Sequence, residues 1–391
     1  METSEYKQFL GRSKQNIHIE HFEDEIFNRG PESVKDMLSK IKNFNYKVSV
    51  KYDGSPSIVC GKDPMDNRFF VGTKAAFSKK PTLIKDDKDL DQIKDKKLRH
   101  KLSECFCYLS KLNLNSVYQG DMLYTLDSLK FKCIRDKKYI TFTPNTLVYG
   151  IEEGTKEYAK ILSSKLGIVF HTEYRGNMLY DMYPNFEPDL NFYHKDIFMV
   201  DPKIKGDIKG FNTTFIEKLI QSINNKDMLS MMDYFNKFAS KMLFVRPKSF
   251  YNKLIKQGIE LNNTTIDLFV REYFKHLLEE YNRKIFPNLK SKRGKKNRRE
   301  ELFGIFKYVK ENEELFKSFL EVKSFLVSFK RIIMWYLESL NQTKIQCINE
   351  RNNFINGEGF VLVDNETNQP IKLVNRIEFS NRNFNLKKDW E

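Results

Sequence analysis

Residues 46–54, YKVSVKYDG, decide the fold class that the sequence predicts. Apolar and polar side chains alternate up to Lys51, and the Asp-Gly pair that follows is typical of a strand entering a turn. Two further strands are predicted at PSIVCG (56–61) and RFFVGTK (68–74), because Gly, Asp, Pro and Asn residues separate them. Lys51 is therefore expected at the end of a strand, on a rigid part of the fold.

Strand-rich and helical segments alternate along the rest of the chain. From about residue 205 to 345, apolar side chains recur every three or four positions, which predicts amphipathic helices. We expect an α+β chain in which a mixed, mainly antiparallel sheet assembly carries an inserted helical module. The expected segments are an N-terminal lead-in with one helix (1–45), the first part of the sheet domain (46–204), the helical module (205–345) and the second part of the sheet domain (346–391).

Composition narrows the class of protein. The 391 residues include 67 Lys and Arg against 52 Asp and Glu, a formal charge of +15, and 40% are hydrophobic. That hydrophobic fraction excludes a disordered chain, and no apolar run reaches the ~18–20 residues of a membrane helix. A polar N-terminus and five cysteines favour a soluble protein of a reducing compartment, the cytoplasm, or the host cytoplasm if the source is a virus or phage.

The positive charge indicates a polyanionic partner, although low-GC coding also enriches lysine. Residues 283–299 hold nine Lys or Arg residues and no acid. Because a Pro and a Gly interrupt this stretch, we expect a basic loop, which is either a solvated linker or a nucleic-acid contact. Its candidate contact residues are Lys290, Lys292, Arg293, Lys295, Lys296, Arg298 and Arg299.

The chemistry-bearing motifs follow one another in a fixed order. Taken singly, each has an ordinary structural explanation, such as a hairpin turn for K-x-D-G. Together they resemble the motifs of the covalent nucleotidyltransferase superfamily, which contains the ATP-dependent polynucleotide ligases and the mRNA capping enzymes. KYDGS is most similar to the phage-type RNA ligases. The matching segments are KYDGS (51–55), VGTKAAF (71–77), VYQGDMLY (117–124), LVYGI (147–151), EGFVLV (358–363) and IKLV (371–374).

The resemblance implies a nucleotidyltransferase (ATP-grasp-like) catalytic domain that uses ATP and Mg²⁺. Lys51 would attack the α-phosphorus and carry the AMP as a lysyl-AMP phosphoramidate. Glu358, together with Asp121, would hold the metal ion, and Lys372 would contact the α-phosphate. The remaining nucleotide-binding residues that the resemblance implies are Val50, Asp53, Gly54, Lys74, Asp121 for the ribose and Tyr149 for stacking on adenine.

The chain also departs from the family's pattern. Ser49 stands where many ligases have an acidic residue near the adenine, and Val374 stands where a second lysine often follows Lys372. Only 19 residues follow Lys372, so a C-terminal OB-fold is not expected. This favours an RNA-ligase-like enzyme over a DNA ligase or a capping enzyme, and RNA over DNA as the partner. Nothing in the sequence places His171 or His194 near Lys51, so both are interpreted as surface or core histidines.

Three functions remain open at this point. The first is an ATP-dependent polynucleotide (RNA) ligase that seals 5′-phosphate and 3′-hydroxyl ends. The second is an adenylyltransferase whose acceptor is not a nucleic acid. The third is a non-catalytic nucleic-acid-binding protein on the same fold, which predicts salt-sensitive binding and no covalent adduct.

Overall fold

The computed structural model describes residues 19–204, 213–223, 228, 230 and 242–385. Its strands, numbered in chain order, are β1 (Glu20–His21), β2 (Tyr46–Lys51), β3 (Ser57–Lys62), β4 (Phe69–Gly72), β5 (Leu83–Ile84), β6 (Val117–Thr125), β7 (Lys130–Ile134), β8 (Lys137–Phe142), β9 (Val148–Glu152), β10 (Leu166–Arg175), β11 (Tyr183–Asn185), β12 (Ile197–Val200), β13 (Gln346–Ile348), β14 (Phe354–Ile355), β15 (Gly359–Asp364) and β16 (Pro370–Val374). Its α-helices are α1 (Glu25–Asn28), α2 (Pro31–Lys42), α3 (Lys96–Leu109), α4 (Lys156–Ser163), α5 (Thr213–Ile223), α6 (Met242–Lys256), α7 (Ile266–Glu280), α8 (Lys292–Glu311), α9 (Glu313–Leu340) and α10 (Arg376–Asn385).

Three sheets organise the strands, and the predicted α+β class with antiparallel sheets is confirmed. The first has the order β1-β16-β15-β2, the second β11-β10-β6-β3-β4-β5, and the third β14-β13-β9-β8-β7. Strand β12 pairs with β10 in the second sheet. Among the described pairs, β1 with β16 and β10 with β12 are parallel and the others are antiparallel. The first and third sheets each join strands from the two distant ends of the chain.

The helices from α5 to α9 share one apolar core with the first sheet. Phe319, Leu326 and Phe329 of α9 belong to the same buried cluster as Leu362 of β15 and Leu373 of β16. This cluster gives the helical part and the sheet a common interior, so burial of the α9 apolar face stabilises both. The predicted boundary between them at 204–205 adjoins residues 205–212, which lie outside the described part of the chain.

A buried ionic cluster joins α9 to the segment before β2. The Lys323 ammonium donates to Asp24 Oδ1 at 2.5 Å, and Lys330 donates to Glu23 Oε1 at 2.8 Å. Lys330 also donates to the Val374 carbonyl oxygen at the end of β16, at 2.8 Å. Glu23 is fully buried, which raises its pKa, but the charges of Lys330, Lys323 and Arg376 together outweigh burial and hold the pKa at about 2.

Two sequence-based expectations are corrected by the fold. The described part of the expected lead-in, from residue 19, is an integral part of the fold, because β1 pairs with β16 and Phe22 lies in the core; residues 1–18 lie outside the described chain. The basic segment 283–299 is not a loop along its whole length, since α8 begins at Lys292. The Ser291 hydroxyl accepts from the Gly294 N–H at 3.0 Å, and this cap lets the helix start despite the glycine.

Candidate functional site

Lys51 lies at the end of β2, beside the residue that begins β15. Its Nζ lies 2.6 Å from Glu358 Oε2, although the two residues are 307 positions apart in the chain. Gly359, the next residue after Glu358, allows β15 to lie close to β16. It pairs with Lys51 across the sheet and has a φ of +141°, and a Cβ there would lie 1.9 Å from the Leu373 carbonyl oxygen. The glycine after Glu358 is therefore required by the backbone.

The Lys51–Glu358 pair opens to solvent at its lysine end. The Lys51 side chain is 28% exposed and that of Glu358 is 4% exposed. Burial lowers the pKa of Lys51, but the carboxylates of Glu358, Asp121 and Asp53 outweigh it, so the pKa of Lys51 is raised. Burial raises the pKa of Glu358 to about 7, against the opposing charge of Lys51. In this state Lys51 is a charged ammonium, and a nucleophilic reaction requires removal of its proton.

Asp53 holds the turn that follows Lys51. Its carboxylate accepts from Asn145 Nδ2 at 2.8 Å, from the Thr146 N–H at 3.0 Å and from Thr146 Oγ1 at 2.7 Å. The Asp53 N–H donates to the Tyr149 hydroxyl at 2.6 Å. Tyr149 is 2% exposed and packs against the Tyr52 ring with centroids 5.7 Å apart. The described contacts of Tyr149 thus support the Lys51 loop, and only a small part of its ring is available for stacking.

Asp121 reaches the site from β6 of the second sheet. A Cβ at Gly54 would lie 2.5 Å from Asp121 Cβ. The glycine of K-x-D-G therefore allows the turn after β2 to lie against β6. Burial raises the pKa of the Asp121 carboxyl, but the nearby His171 imidazole, followed by the charge of Lys51, outweighs burial and lowers it. The strand pairing therefore brings Asp121 into the electrostatic field of Lys51.

His171 is a site residue that the sequence analysis missed. Its Nε2 lies 3.8 Å from Asp121 Oδ2, and its Nδ1 lies 2.8 Å from Thr172 Oγ1. His171 lies on β10 and Asp121 lies on β6. These two strands pair antiparallel, with Val169 opposite Asp121. This pairing bridges about 50 residues of sequence and leaves no local signal. The structure thus places the half-buried His171 beside Asp121, a position that the sequence did not indicate.

Lys372 lies on β16, opposite Val361 and beside His21 of β1. Burial and then the positive charge of Lys51 lower the pKa of Lys372 to about 8. The structure therefore brings the two lysines within electrostatic range of one another. Lys74 is exposed in a short turn after β4, and the described contacts do not join it to Lys51. Gly72 of β4 pairs with Val59 of β3, and the two strands are antiparallel. The chain from Gly72 to Lys74 therefore runs toward Ser57, the first residue of β3.

A cleft of about 200 Å³ adjoins Lys51. The cleft is lined by the end of β2 and by neighbouring strands of the third sheet, where Tyr149 of β9 pairs with Cys347 of β13 and β14 lies beyond. Val50 also lines the cleft, and its contact with a nucleotide stays a prediction. The rim includes side chains from the end of α9 and just beyond it that the sequence did not identify: Glu338, Asn341 and Thr343.

The acidic residues of the site fit part of the coordination set of a metal ion. The described part of the chain holds no group of three or more His, Cys, Asp or Glu side chains arranged for a metal. Mg²⁺ is often bound by one or two carboxylates, with substrate phosphates and water completing the set. The charges of Glu358 and Asp121 both raise the pKa of Lys51, so the two carboxylates lie near the same ammonium and fit such a partial set.

The basic residues predicted to contact nucleic acid lie on and just before the first turns of α8. All of them are exposed except Arg298, which is half-buried and pairs with Glu301. Lys296 lies 3.8 Å from Glu300, and the Arg299 guanidinium lies 5.8 Å from the centre of the Phe286 ring. Cations at a helix N-terminus oppose the helix dipole. No described contact joins this patch to Lys51.

The chain belongs to a family of unknown function, DUF6267, whose pattern matches residues 16–388. No curated protein and no solved structure matches the chain. None of the described helices is both long and apolar enough to cross a membrane.

Proposed function

We propose that this chain is a covalent nucleotidyltransferase that forms a lysyl-nucleotide at Lys51 and serves as an ATP-dependent RNA ligase. The observation that carries the proposal is the convergence of Lys51, Glu358, Asp121 and Lys372. Lys51, Asp121 and Lys372 lie on three different strands and Glu358 lies just before a fourth, yet the pKa of each is shifted by the charge of another member. Perturbed ionisable groups gathered beside a cleft are typical of catalytic sites.

The first step joins Lys51 to the α-phosphorus of ATP. The Nζ–P bond forms while the bond from the α-phosphorus to the departing pyrophosphate breaks. Glu358 is placed to take the proton that Lys51 releases, because its Oε2 lies 2.6 Å from Nζ and its pKa is about 7. A bound Mg²⁺, held by Glu358 and Asp121, would neutralise phosphate charge.

Two further side chains support this step. Lys372 supplies a second cation from β16, which is separated from the Lys51 strand by β15, and this cation would stabilise the negative charge of the α-phosphate. The Asp121 carboxylate, which His171 approaches, is an acceptor for ribose hydroxyls. The nucleotide enters through the cleft beside Lys51. The apolar side chains that line part of this cleft suit a planar base.

The proposed acceptor of the AMP group is a nucleic-acid 5′-phosphate. In the second step a phosphate oxygen of that end attacks the phosphorus of lysyl-AMP, and the Lys51 nitrogen leaves and takes up a proton. A 3′-hydroxyl then attacks the activated end and releases AMP, which seals the strand. The net charge of +15 and the exposed cations at the start of α8 support a polyanionic partner. The preference for RNA over DNA rests on the resemblance of KYDGS to phage-type RNA ligases.

The experiment incubates the protein with Mg²⁺ and ATP labelled at the α-phosphate, followed by denaturation. We expect label that stays on the wild-type chain and is absent from Lys51→Ala. Lys47→Ala is the matched control, because Lys47 lies on the same strand and is 56% exposed. Adding 5′-phosphorylated RNA should then move the label from the protein to the RNA. Label that stays on the protein would favour another acceptor, and no label would leave a nucleic-acid-binding protein.

A further inference from the structure

The cleft beside Lys51 contains a second charged side chain that the proposed reaction does not use. Of the residues that line the cleft, Lys51 and Glu338 carry formal charges, and the rest are apolar or neutral. Glu338 belongs to the last turn of α9, a helix of the inserted part of the chain. The helical part therefore contributes a side chain to the wall of the nucleotide cleft.

The position of Glu338 is unfavourable for a carboxylate in two respects. A negative charge in the last turn of a helix opposes the helix dipole. Burial raises the pKa of Glu338, although the Asn341 side chain and the Gly357 N–H act in the opposite direction. A carboxylate has about four acceptor sites, so these two donors leave sites for a ligand in the cleft that Glu338 lines.

The neighbouring residues fix the polar rim of the cleft. Asn341 Oδ1 accepts from the Thr343 N–H at 3.2 Å, so the Asn341 oxygen is held; of its two amide N–H donors one serves Glu338, which leaves the other for a ligand. Thr343 Oγ1 accepts from the Ile345 N–H at 3.3 Å and lies 3.5 Å from the Tyr52 hydroxyl. The rim thus presents a carboxylate acceptor next to an amide donor.

We propose that Glu338, with Asn341, recognises the base of the nucleotide by accepting a hydrogen bond from an exocyclic amine of a purine. This inference rests on the proposed function, because it assumes that a nucleotide occupies the cleft with its phosphates toward Lys51. The carboxylate repels phosphate, so it faces the opposite end of the ligand. A purine edge that pairs an amine donor with a ring acceptor matches the carboxylate and amide pair.

The test compares three triphosphates by equilibrium binding and by adduct formation. ATP and GTP carry an exocyclic amine, and purine riboside triphosphate has none. We expect wild-type protein to bind ATP or GTP about 10- to 100-fold more tightly than purine riboside triphosphate, since a hydrogen bond to a charged group has this value. The better of the two amine-bearing nucleotides identifies which purine the rim accepts.

Glu338→Met should remove most of this preference by weakening binding of the amine-bearing nucleotide and leaving purine riboside triphosphate unaffected. Glu321→Met is the matched control, because Glu321 is exposed on the same helix and does not line the cleft. Equal binding of all three triphosphates by the wild-type protein, or an equal loss for all three in Glu338→Met, would overturn this inference alone. Absence of any nucleotide binding or adduct would instead overturn the proposed function.

Discussion

Replacing Lys372 with methionine should stabilise the protein while it abolishes adduct formation. The ammonium of Lys372 is half-buried and is repelled by Lys51, and these two effects lower its pKa from 10.5 to about 8. At about 1.36 kcal/mol per pH unit, this corresponds to about 3 kcal/mol of unfavourable free energy for the charged folded state. Because the side chain keeps some contact with solvent, we expect a gain of roughly 1–2 kcal/mol at pH 7.

The pH dependence gives this prediction a sign. A lysine with a lowered pKa binds fewer protons in the folded state than in the unfolded state between pH 8 and 10.5. The free energy of unfolding of the wild-type protein should therefore rise through this window. The advantage of Lys372→Met is largest below pH 8 and declines above it, as neutral lysine and methionine become similar.

Denaturant unfolding followed by circular dichroism at pH 7 and pH 9.5 measures both quantities. Lys47→Met is the matched control, since Lys47 is exposed on the neighbouring part of the same sheet, and its effect should stay within about 0.5 kcal/mol. A loss of stability at pH 7, or an advantage that grows with pH, would refute the reasoning. Either result would mean that Lys372 stabilises the fold. A side chain retained for function is instead expected to lower the stability of the protein.

Three further predictions concern the ionic cluster, the nucleophile and the basic helix. Lys330→Met should lower the free energy of unfolding by about 3–5 kcal/mol, because it leaves the buried carboxylate of Glu23 without its closest cation. The initial rate of adduct formation should rise with pH from 6 to 9, since the raised pKa of Lys51 keeps it protonated and Glu358 accepts protons only above about pH 7. Replacing the four basic residues in 292–296 with glutamine should weaken binding of single-stranded RNA and reduce the slope of log affinity against log salt by about 0.7 for each lost contact.

Each of these measurements has a control or a contradicting result. Lys310→Met, at an exposed position of α8, should change the free energy of unfolding by less than about 0.5 kcal/mol. A rate of adduct formation that is flat with pH would contradict the charged state of Lys51. An unchanged salt slope would show that the start of α8 is a solvated surface and does not contact the nucleic acid.

The sequence was informative where the chemistry is local. Alternating side chains predicted the strand that carries Lys51, and Asp-Gly predicted its turn. The sequence singled out EGFVLV (358–363) by its motif, and the backbone of Gly359 shows why a glycine must follow Glu358. These features depend on a few adjacent residues, so the pattern itself contains them.

Features that depend on long-range pairing could not be predicted. His171 meets Asp121 only because β6 and β10 pair, and Glu338 lines the cleft only because the end of α9 lies beside β14. The buried lysines of α9 did leave a signal. Lys323 and Lys330 are seven residues apart, on the same face as the buried Phe316. Cations on an apolar face indicate buried partners, but the sequence does not identify them.

The central claim is that Lys51 becomes covalently bound to a nucleotide. The most direct measurement is the intact mass of the protein after incubation with Mg²⁺ and ATP, followed by mapping of the modified peptide. We expect the mass to increase by one AMP moiety, on the peptide that contains Lys51, and the adduct to disappear when pyrophosphate is added. An unchanged mass in folded protein with either ATP or GTP, or a modification mapped to another residue, would contradict the account.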